Sequence, residues 1–507
     1  MTHAGEGEAG LVSRRLPGQH DPVALHAALA DLGAAPLLFR RTGGRALIVA
    51  DAALRLEATG GEARFEALSE GGALLLGPLA ERLANHVTEQ APRHLTVRFE
   101  RCDHPDEEVR AQAPTALTAL RALLAVAVPR DSDEPFALVA AGIVGFDHVD
   151  MIEALPPRPV GDFPDLVFLL AETLIAIEPS GTTRVLALAI GSADPAVAHR
   201  QHHLAADRLA RLVARCETVD RSRTTPAAMP CRAEPDLDDQ AFAATVERLK
   251  QHIVAGDIFQ AVPSRAFRAP CTDPRAAFRR LVAADPSAYH YCFDTGHGTV
   301  FGASPETAVE LRRGAVGLTL TVSPIAGTRP RGATLDADDR MEADLRLDAK
   351  EVAEHLMLVD LARNDVARVA TPGTRRVTRM LGVERFARVM HLVSTVEGRL
   401  ADGCDAIDTI RACLNVGTLS GAPKLAAIAL IRAVEQSPRG PYGGAIGWIN
   451  GNGEMDSAVI IRSALVRDGF AEVRAGAGVV ADSDPLSEAA ETRAKASAVL
   501  AALGAAA

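Results

Sequence analysis

Two carboxylate couples, Glu351/Glu354 and Glu488/Glu491, are the residues of this chain whose types and spacing best suit chemistry. Each couple sits at i, i+3 in a stretch that reads as helix, which puts both side chains on one helix face. Four carboxylates brought together repel one another unless a hard cation lies between them. Magnesium meets that demand, because it takes few protein carboxylates and completes its shell with water and the oxygens of a charged ligand. Taken alone, the spacing is weak, because it more often describes a solvated helix face. The basic residues carry a second signal. Nearly all are arginine, and Lys250, Lys350, Lys424 and Lys495 are the only lysines. Lys350, Lys424 and Lys495 fall inside the dense segments described below.

The elements that must position these groups are legible in outline. Residues 349–366 read as a helix with Val352, Leu356, Val359 and Ala362 on its apolar face. Asp484-Pro485 starts the last helix, with proline in its first turn. Residues 457–466 and 471–480 read as a hairpin turning at Arg467-Asp468-Gly469. Upstream, apolar runs at 46–50 and 166–170 alternate with helical stretches, 183–191 reads as strand and 194–215 as an amphipathic helix. Residues 1–20 read as a disordered N-terminus, 21–218 as an N-terminal region, 219–237 as an aperiodic linker, and 238–503 as the catalytic region. The expected class is α+β, with sheets covered by helices on their outer faces.

Composition narrows the function classes. The chain has 507 residues, 48% of them hydrophobic but only 4% aromatic, so aliphatic packing carries the core. A net charge of −11 disfavours nucleic acid and anionic membrane as partners. The cysteines are scattered and show no CxxC spacing, which fits a reducing, cytoplasmic setting. The first ten residues do not resemble a signal peptide. No apolar run reaches about 18 residues without a charge, so no membrane span is expected.

From the linker onward, dense segments follow in a fixed order. They include Gly256-Asp-Ile-Phe-Gln260, Gly302-Ala-Ser-Pro-Glu306, Pro324-Ile-Ala-Gly-Thr-Arg-Pro-Arg-Gly332 and Lys350-Glu-Val-Ala-Glu-His-Leu-Met-Leu-Val-Asp360. Val389-Met-His-Leu-Val393, Gly417-Thr-Leu-Ser-Gly-Ala-Pro-Lys424, Arg439-Gly-Pro-Tyr-Gly-Gly444, Ile461-Arg462 and Ala475-Gly-Ala-Gly478 follow. In this series the chain resembles the chorismate-utilising enzymes, and within them the large subunits of anthranilate synthases. The resemblance is dense over residues 240–500 and looser before them. It implies a two-part α/β sandwich of two packed β-sheets with helices outside. The implied reaction is amination of chorismate at ring carbon 2 with loss of the 4-hydroxyl, then elimination of pyruvate to leave anthranilate.

The resemblance also assigns roles. Glu354 and Glu491 match the direct magnesium ligands, with Glu351 and Glu488 flanking them. Arg462 and Tyr442 match the positions that hold the enolpyruvyl carboxylate, where a guanidinium fork suits a planar oxyanion. Gly476, Ala477 and Gly478 match an anion-binding turn, Gly327, Thr328 and Thr418 match contacts to the ring, and Lys495 adds charge beside the metal. Glu306 matches the general acid for loss of the hydroxyl, a role that requires burial to raise its pKa. His391 matches the residue tied to pyruvate elimination. Gln260 stands where relatives that add water carry a lysine base. Ala326 stands where the aminodeoxychorismate branch carries a nucleophilic lysine. Both point to direct attack by ammonia.

No Gly-x-Cys-x-Gly segment of a glutamine amidotransferase is present, so a separate glutaminase subunit is expected to supply ammonia, in a hetero-oligomer. Tryptophan-inhibited relatives carry Leu-Leu-Glu-Ser where this chain has Leu37-Leu38-Phe39-Arg40, and Asn-Pro-Ser-Pro-Tyr-Met where it has Asp285-Pro-Ser-Ala-Tyr-His290. Weak or absent inhibition by tryptophan is the expectation. The alternatives are a 2-amino-2-deoxyisochorismate synthase and a catalytically silent chorismate-binding paralogue.

Overall fold

A computed structural model describes residues 4–5, 7–30, 35–129, 133–218, 225–385 and 389–506. The class is α+β. Among the described residues, 23 strands share one almost wholly antiparallel hydrogen-bonded network. The two sheets expected from the sequence are therefore joined at their edges. Val139–Val144 of the first half pairs with Ala445–Asn450 of the second, and Leu37–Arg41 pairs with Tyr289–Asp294.

The central strand of the first half is Leu166–Ile177, twelve residues long and buried throughout. Its near-continuous apolar run suits a strand covered on both faces, and it pairs with Ala46–Thr59, Val139–Val144 and Thr183–Ile190. Phe39, Ile143, Tyr289, Trp448 and Ile460 pack in one core that mixes the two halves. No helix among the described residues is long and apolar enough to cross a membrane.

Several expectations change. Glu8–Leu16, read as part of a disordered terminus, is a strand paired with Thr183–Ile190. Its mixed pattern carries little signal of its own; the open edge of its neighbour organises it. The linker reading extends too far: Cys231–Arg232 pairs in parallel with Ala505–Ala506, and Glu234–Pro235 pairs with Arg268 and Phe267. Residues 219–224 lie outside the described residues.

The Ala349–Ala367 helix forms as expected, capped by Asp348, whose carboxylate accepts from the amides of Lys350 and Glu351. Its buried face is His355, Leu358, Val359, Ala362, Asp365 and Val366. Leu356 is 40% exposed, so the buried stripe is rotated from the one read in the sequence. The rotation turns the buried side of the helix toward Glu351 and Glu354, which are both partly buried. The Pro485–Leu503 helix starts at the Asp484 cap and ends at Gly504, which has φ 90°.

The expected hairpin turn is present between Arg467 and Phe470. Asp468 and Gly469 have φ 52° and 77°, the left-handed pair of a two-residue turn. The strand expected at 457–466 is broken into Met455–Val459 and Ser463–Arg467. Arg462, with φ 46°, sits at the break.

Candidate active site

A cleft of about 590 Å³ opens in the second half, and it is where the motif residues meet. Gln260, Glu306, Gly327, Thr328, Glu351 and Glu354 line it, as do His391, Thr418, Tyr442 and Arg462. Gly476, Gly478, Glu488, Glu491 and Lys495 complete the set.

One wall holds a buried carboxyl and a buried imidazole. Glu306 follows the Thr299–Ser304 strand, is 6% exposed, and accepts a hydrogen bond from Thr418 Oγ1 at 2.8 Å. Burial raises its pKa from 4.5 to about 7, opposed by the Thr418 hydroxyl and the charges of Lys495 and Arg462. A carboxyl so held keeps its proton up to about pH 7, where an ordinary carboxyl has long lost it. Thr328 and His391 face each other on paired strands, with Thr328 Oγ1 and His391 Nδ1 2.9 Å apart.

A register shift between Ala326 and Thr328 leaves Gly327 as the extra residue, at φ 76°. That left-handed bulge favours glycine. His391 Nδ1 also lies 3.2 Å from the Gly327 carbonyl. Donation of Nδ1–H to that carbonyl leaves Nε2 as the basic nitrogen. Burial, then the Arg462 charge, lowers the His391 pKa to about 4, so the ring is neutral at pH 7.

A second wall is shaped for an anion. Tyr442 is buried, and Arg462 projects beside Asp285, 3.9 Å away. A Cβ on Gly476 would lie 2.7 Å from the Pro263 carbonyl oxygen and 3.0 Å from the Tyr442 hydroxyl, so only glycine fits. A Cβ on Gly478 would lie 2.9 Å from Gln260 Nε2. Ala477 is not part of this surface. It is buried, does not line the cleft, and spends its N–H on the Pro263 carbonyl. The alternation of a strand end points it away from its glycine neighbours.

The carboxylate couples occupy the third side, on two helices. Glu354 Oε1 accepts from Gln260 Nε2 at 2.9 Å, Glu491 pairs with Lys495 at 2.7 Å, and Glu351 lies 3.4 Å from Arg329. The pKa of Glu354 is raised by burial and then by the charge of Glu351, with Glu491 adding to it. Glu488 is raised by burial, and Glu491 repels it.

The four carboxylates share the cleft but do not converge as the spacing alone suggests. Among the described residues no three His, Cys, Asp or Glu side chains form a ready metal cluster. Lys495, Arg329 and Gln260 draw the carboxylates to separate partners instead. Two hard carboxylates from different helices, with room for oxygens of a bound anion, remain a donor set suited to magnesium.

Asp285, Lys350 and Arg474 also line the cleft without having been assigned there from sequence. Asp285 was legible only as part of the Asp-Pro-Ser turn, and Arg474 only as one arginine among many. The two segments compared with a tryptophan site are neighbours. Phe39 lies opposite Tyr291 and Arg40 opposite His290, and the Phe39 ring packs 5.5 Å from Tyr289.

Residues 84–501 match the chorismate binding enzyme family. The pyocyanine-specific anthranilate synthase component 1 of Pseudomonas aeruginosa is 45% identical over 480 residues, 91% of this chain and 87% of that protein. Anthranilate synthase component 1 of Vibrio cholerae is 40% identical over 97% of this chain and 96% of its own length. Among solved structures, anthranilate synthase component I of Streptococcus pneumoniae superposes with a TM-score of 0.68 at 28% identity, covering 90% of this chain and 92% of that one. The menaquinone-specific isochorismate synthase of Escherichia coli gives 0.69 at 17% identity, over 99% and 96%, a likeness of fold alone. The chain belongs to the chorismate binding enzymes, and within them to the anthranilate synthase component 1 family.

Proposed function

We propose that this protein is the chorismate-aminating component of an anthranilate synthase, a cytoplasmic lyase that converts chorismate and ammonia to anthranilate and pyruvate. The observation that carries the reading is the pairing, in one cleft, of a protonated acid, Glu306, with a neutral imidazole, His391. The reaction needs one group that gives a proton early and another that takes one later.

In this reading Arg462 and Tyr442 hold the enolpyruvyl carboxylate, and Glu354 and Glu491 would hold magnesium for the ring carboxylate. Magnesium supplies charge neutralisation and Lewis-acid polarisation there. Glu306 gives its proton to the departing 4-hydroxyl, which leaves as water while ammonia bonds to carbon 2. His391, oriented by the Gly327 carbonyl and Thr328, takes the carbon 2 proton as the C–O bond to the enolpyruvyl group breaks and the ring becomes aromatic. The bond's electrons leave with the oxygen as enolpyruvate, which takes up a proton at its methylene carbon to become pyruvate. Gln260, bonded to Glu354, lines the cleft without a basic group of its own, which leaves ammonia as the nucleophile. A separate glutaminase subunit supplies that ammonia.

The test incubates the protein with chorismate, magnesium and ammonium, following anthranilate fluorescence and pyruvate together. Equal yields of the two products are expected. Chorismate consumption without pyruvate indicates a 2-amino-2-deoxyisochorismate synthase, and no consumption indicates a silent paralogue; either result overturns the reading.

A further inference from the structure

Arg439 does not line the cleft, yet its buried guanidinium touches the backing of three segments that do. Nε and one terminal nitrogen form a two-point contact with Glu435, at 2.9 and 2.6 Å. The remaining bonds go to main-chain carbonyls, from NH1 to Leu419 at 2.8 Å and from NH2 to Val262 at 2.6 Å. Leu419 follows Thr418, the donor to Glu306, and Val262 and Leu419 both line the cleft. Glu435 Oε1 in turn accepts from the amide and hydroxyl of Ser264, at 2.7 and 2.8 Å. Ser264 pairs with Gly476 across the sheet.

The same guanidinium lies between two rings, 4.2 Å from the centroid of Phe146 and 5.8 Å from that of Tyr442. Phe146 comes from the first half of the chain. The Arg439–Gly444 segment is built to receive it. The Phe146 amide donates to the Gly440 carbonyl at 3.3 Å. A Cβ on Gly443 would meet the Phe146 ring at 3.0 Å, and one on Gly444 would lie 2.1 Å from the Val144 carbonyl oxygen. Asn415 Nδ2 donates to the Phe146 carbonyl at 2.5 Å, fixing the ring's own backbone.

We propose that Arg439 is a positioning residue for Tyr442 and for the anion-binding wall at Ser264 and Gly476, and that Phe146 is the part of that support contributed by the first half. This rests on the assignment of Tyr442 to the enolpyruvyl carboxylate made above. A purely stabilising ion pair has no reason to bond both wall carbonyls while standing beside the Tyr442 ring. A lysine at 439 keeps the charge but not the planar fork. Leucine at 146 removes the ring without stranding a buried charge.

The test is a double-mutant cycle read from steady-state kinetics with ammonium, using Phe146→Leu, Tyr442→Phe and the pair, with Arg439→Lys as a second probe. Phe146→Leu is expected to raise KM for chorismate by ~10-fold with little change in kcat, within the range that small misplacements cost. In the Tyr442→Phe background the same change should raise it far less, because effects through a shared partner are not additive. A folded Phe146→Leu enzyme with unaltered KM overturns the proposal, as does full additivity with Tyr442→Phe. If Arg439→Lys fails to fold, the Phe146 cycle decides. If the wild type makes no anthranilate, the functional reading falls, and the same cycle read from chorismate dissociation constants decides the positioning role. A wild type that neither binds nor converts chorismate overturns both.

Discussion

Thr418 Oγ1 donates to Glu306 Oε1 at 2.8 Å, which assigns the carboxyl's two oxygens different tasks. The oxygen that accepts from Thr418 is the carbonyl-like one, so the proton resides on Oε2. Replacement of Glu306 by Gln should lower kcat by ~10²–10⁴-fold, the usual span for a lost general acid. Chorismate affinity should stay close to wild type, as a fluorescence titration would show.

The same carboxyl couples folding to pH. Burial raises its folded pKa above the unfolded value, from 4.5 to about 7, so the native state binds this proton more tightly than the unfolded state does. Stability then falls as pH rises through that window. Urea unfolding of wild type and Glu306→Gln at pH 5 and pH 8 should show the variant losing less between the two.

Activity should follow a bell. Glu306 must be protonated and His391 neutral, and burial moves their values to about 7 and about 4. The kcat/KM profile should decline above about pH 7, and its acid limb should lie well below the ordinary imidazole value of 6.5. An acid limb near 6.5 that vanishes in His391→Ala would contradict this.

Magnesium binding is testable without turnover. The charge on Glu354 is opposed by burial and by Glu351. Glu354→Gln should therefore melt no lower than wild type in chelator, while losing the upward shift in Tm that magnesium gives the wild type. Glu491→Gln should lose that shift too, and both should lose turnover. Retention of activity by both variants would remove the metal assignment.

Tryptophan at low micromolar concentration should leave activity unchanged. Phe39 fills its place with a ring packed on Tyr289, and Arg40 stands opposite His290. Inhibition of the purified protein in that range would be the contrary result.

That the motif residues would gather in one place was legible from their ordered series and its resemblance to the chorismate-utilising enzymes, and they do line one cleft. Alone, a glutamate after Ser-Pro, a histidine among apolar neighbours or paired glycines would read as core and turn residues. Placement was less legible. The carboxylate couples were readable as helix faces, but not that Lys495 and Arg329 hold Glu491 and Glu351 apart. Ala477 looked like part of an anion turn because its neighbours are glycine, whereas strand alternation buries it. Glu8–Leu16 and Phe146 share one difficulty: each takes its meaning from a partner more than a hundred residues away. Nothing local in nine mixed residues announces a strand, and nothing local in one phenylalanine announces a support for Tyr442.

The scarcity of lysine turns into a footprinting tool. Lys424 is held by Asp365, Lys250 by the Ser483 carbonyl, and Lys495 by Glu491 and the Gly476 carbonyl. Lys350 is exposed at the rim of the cleft. An acylating reagent should thus mark Lys350 ahead of the other side-chain amines. The extent of that single modification, read by mass spectrometry, would report occupancy of the cleft.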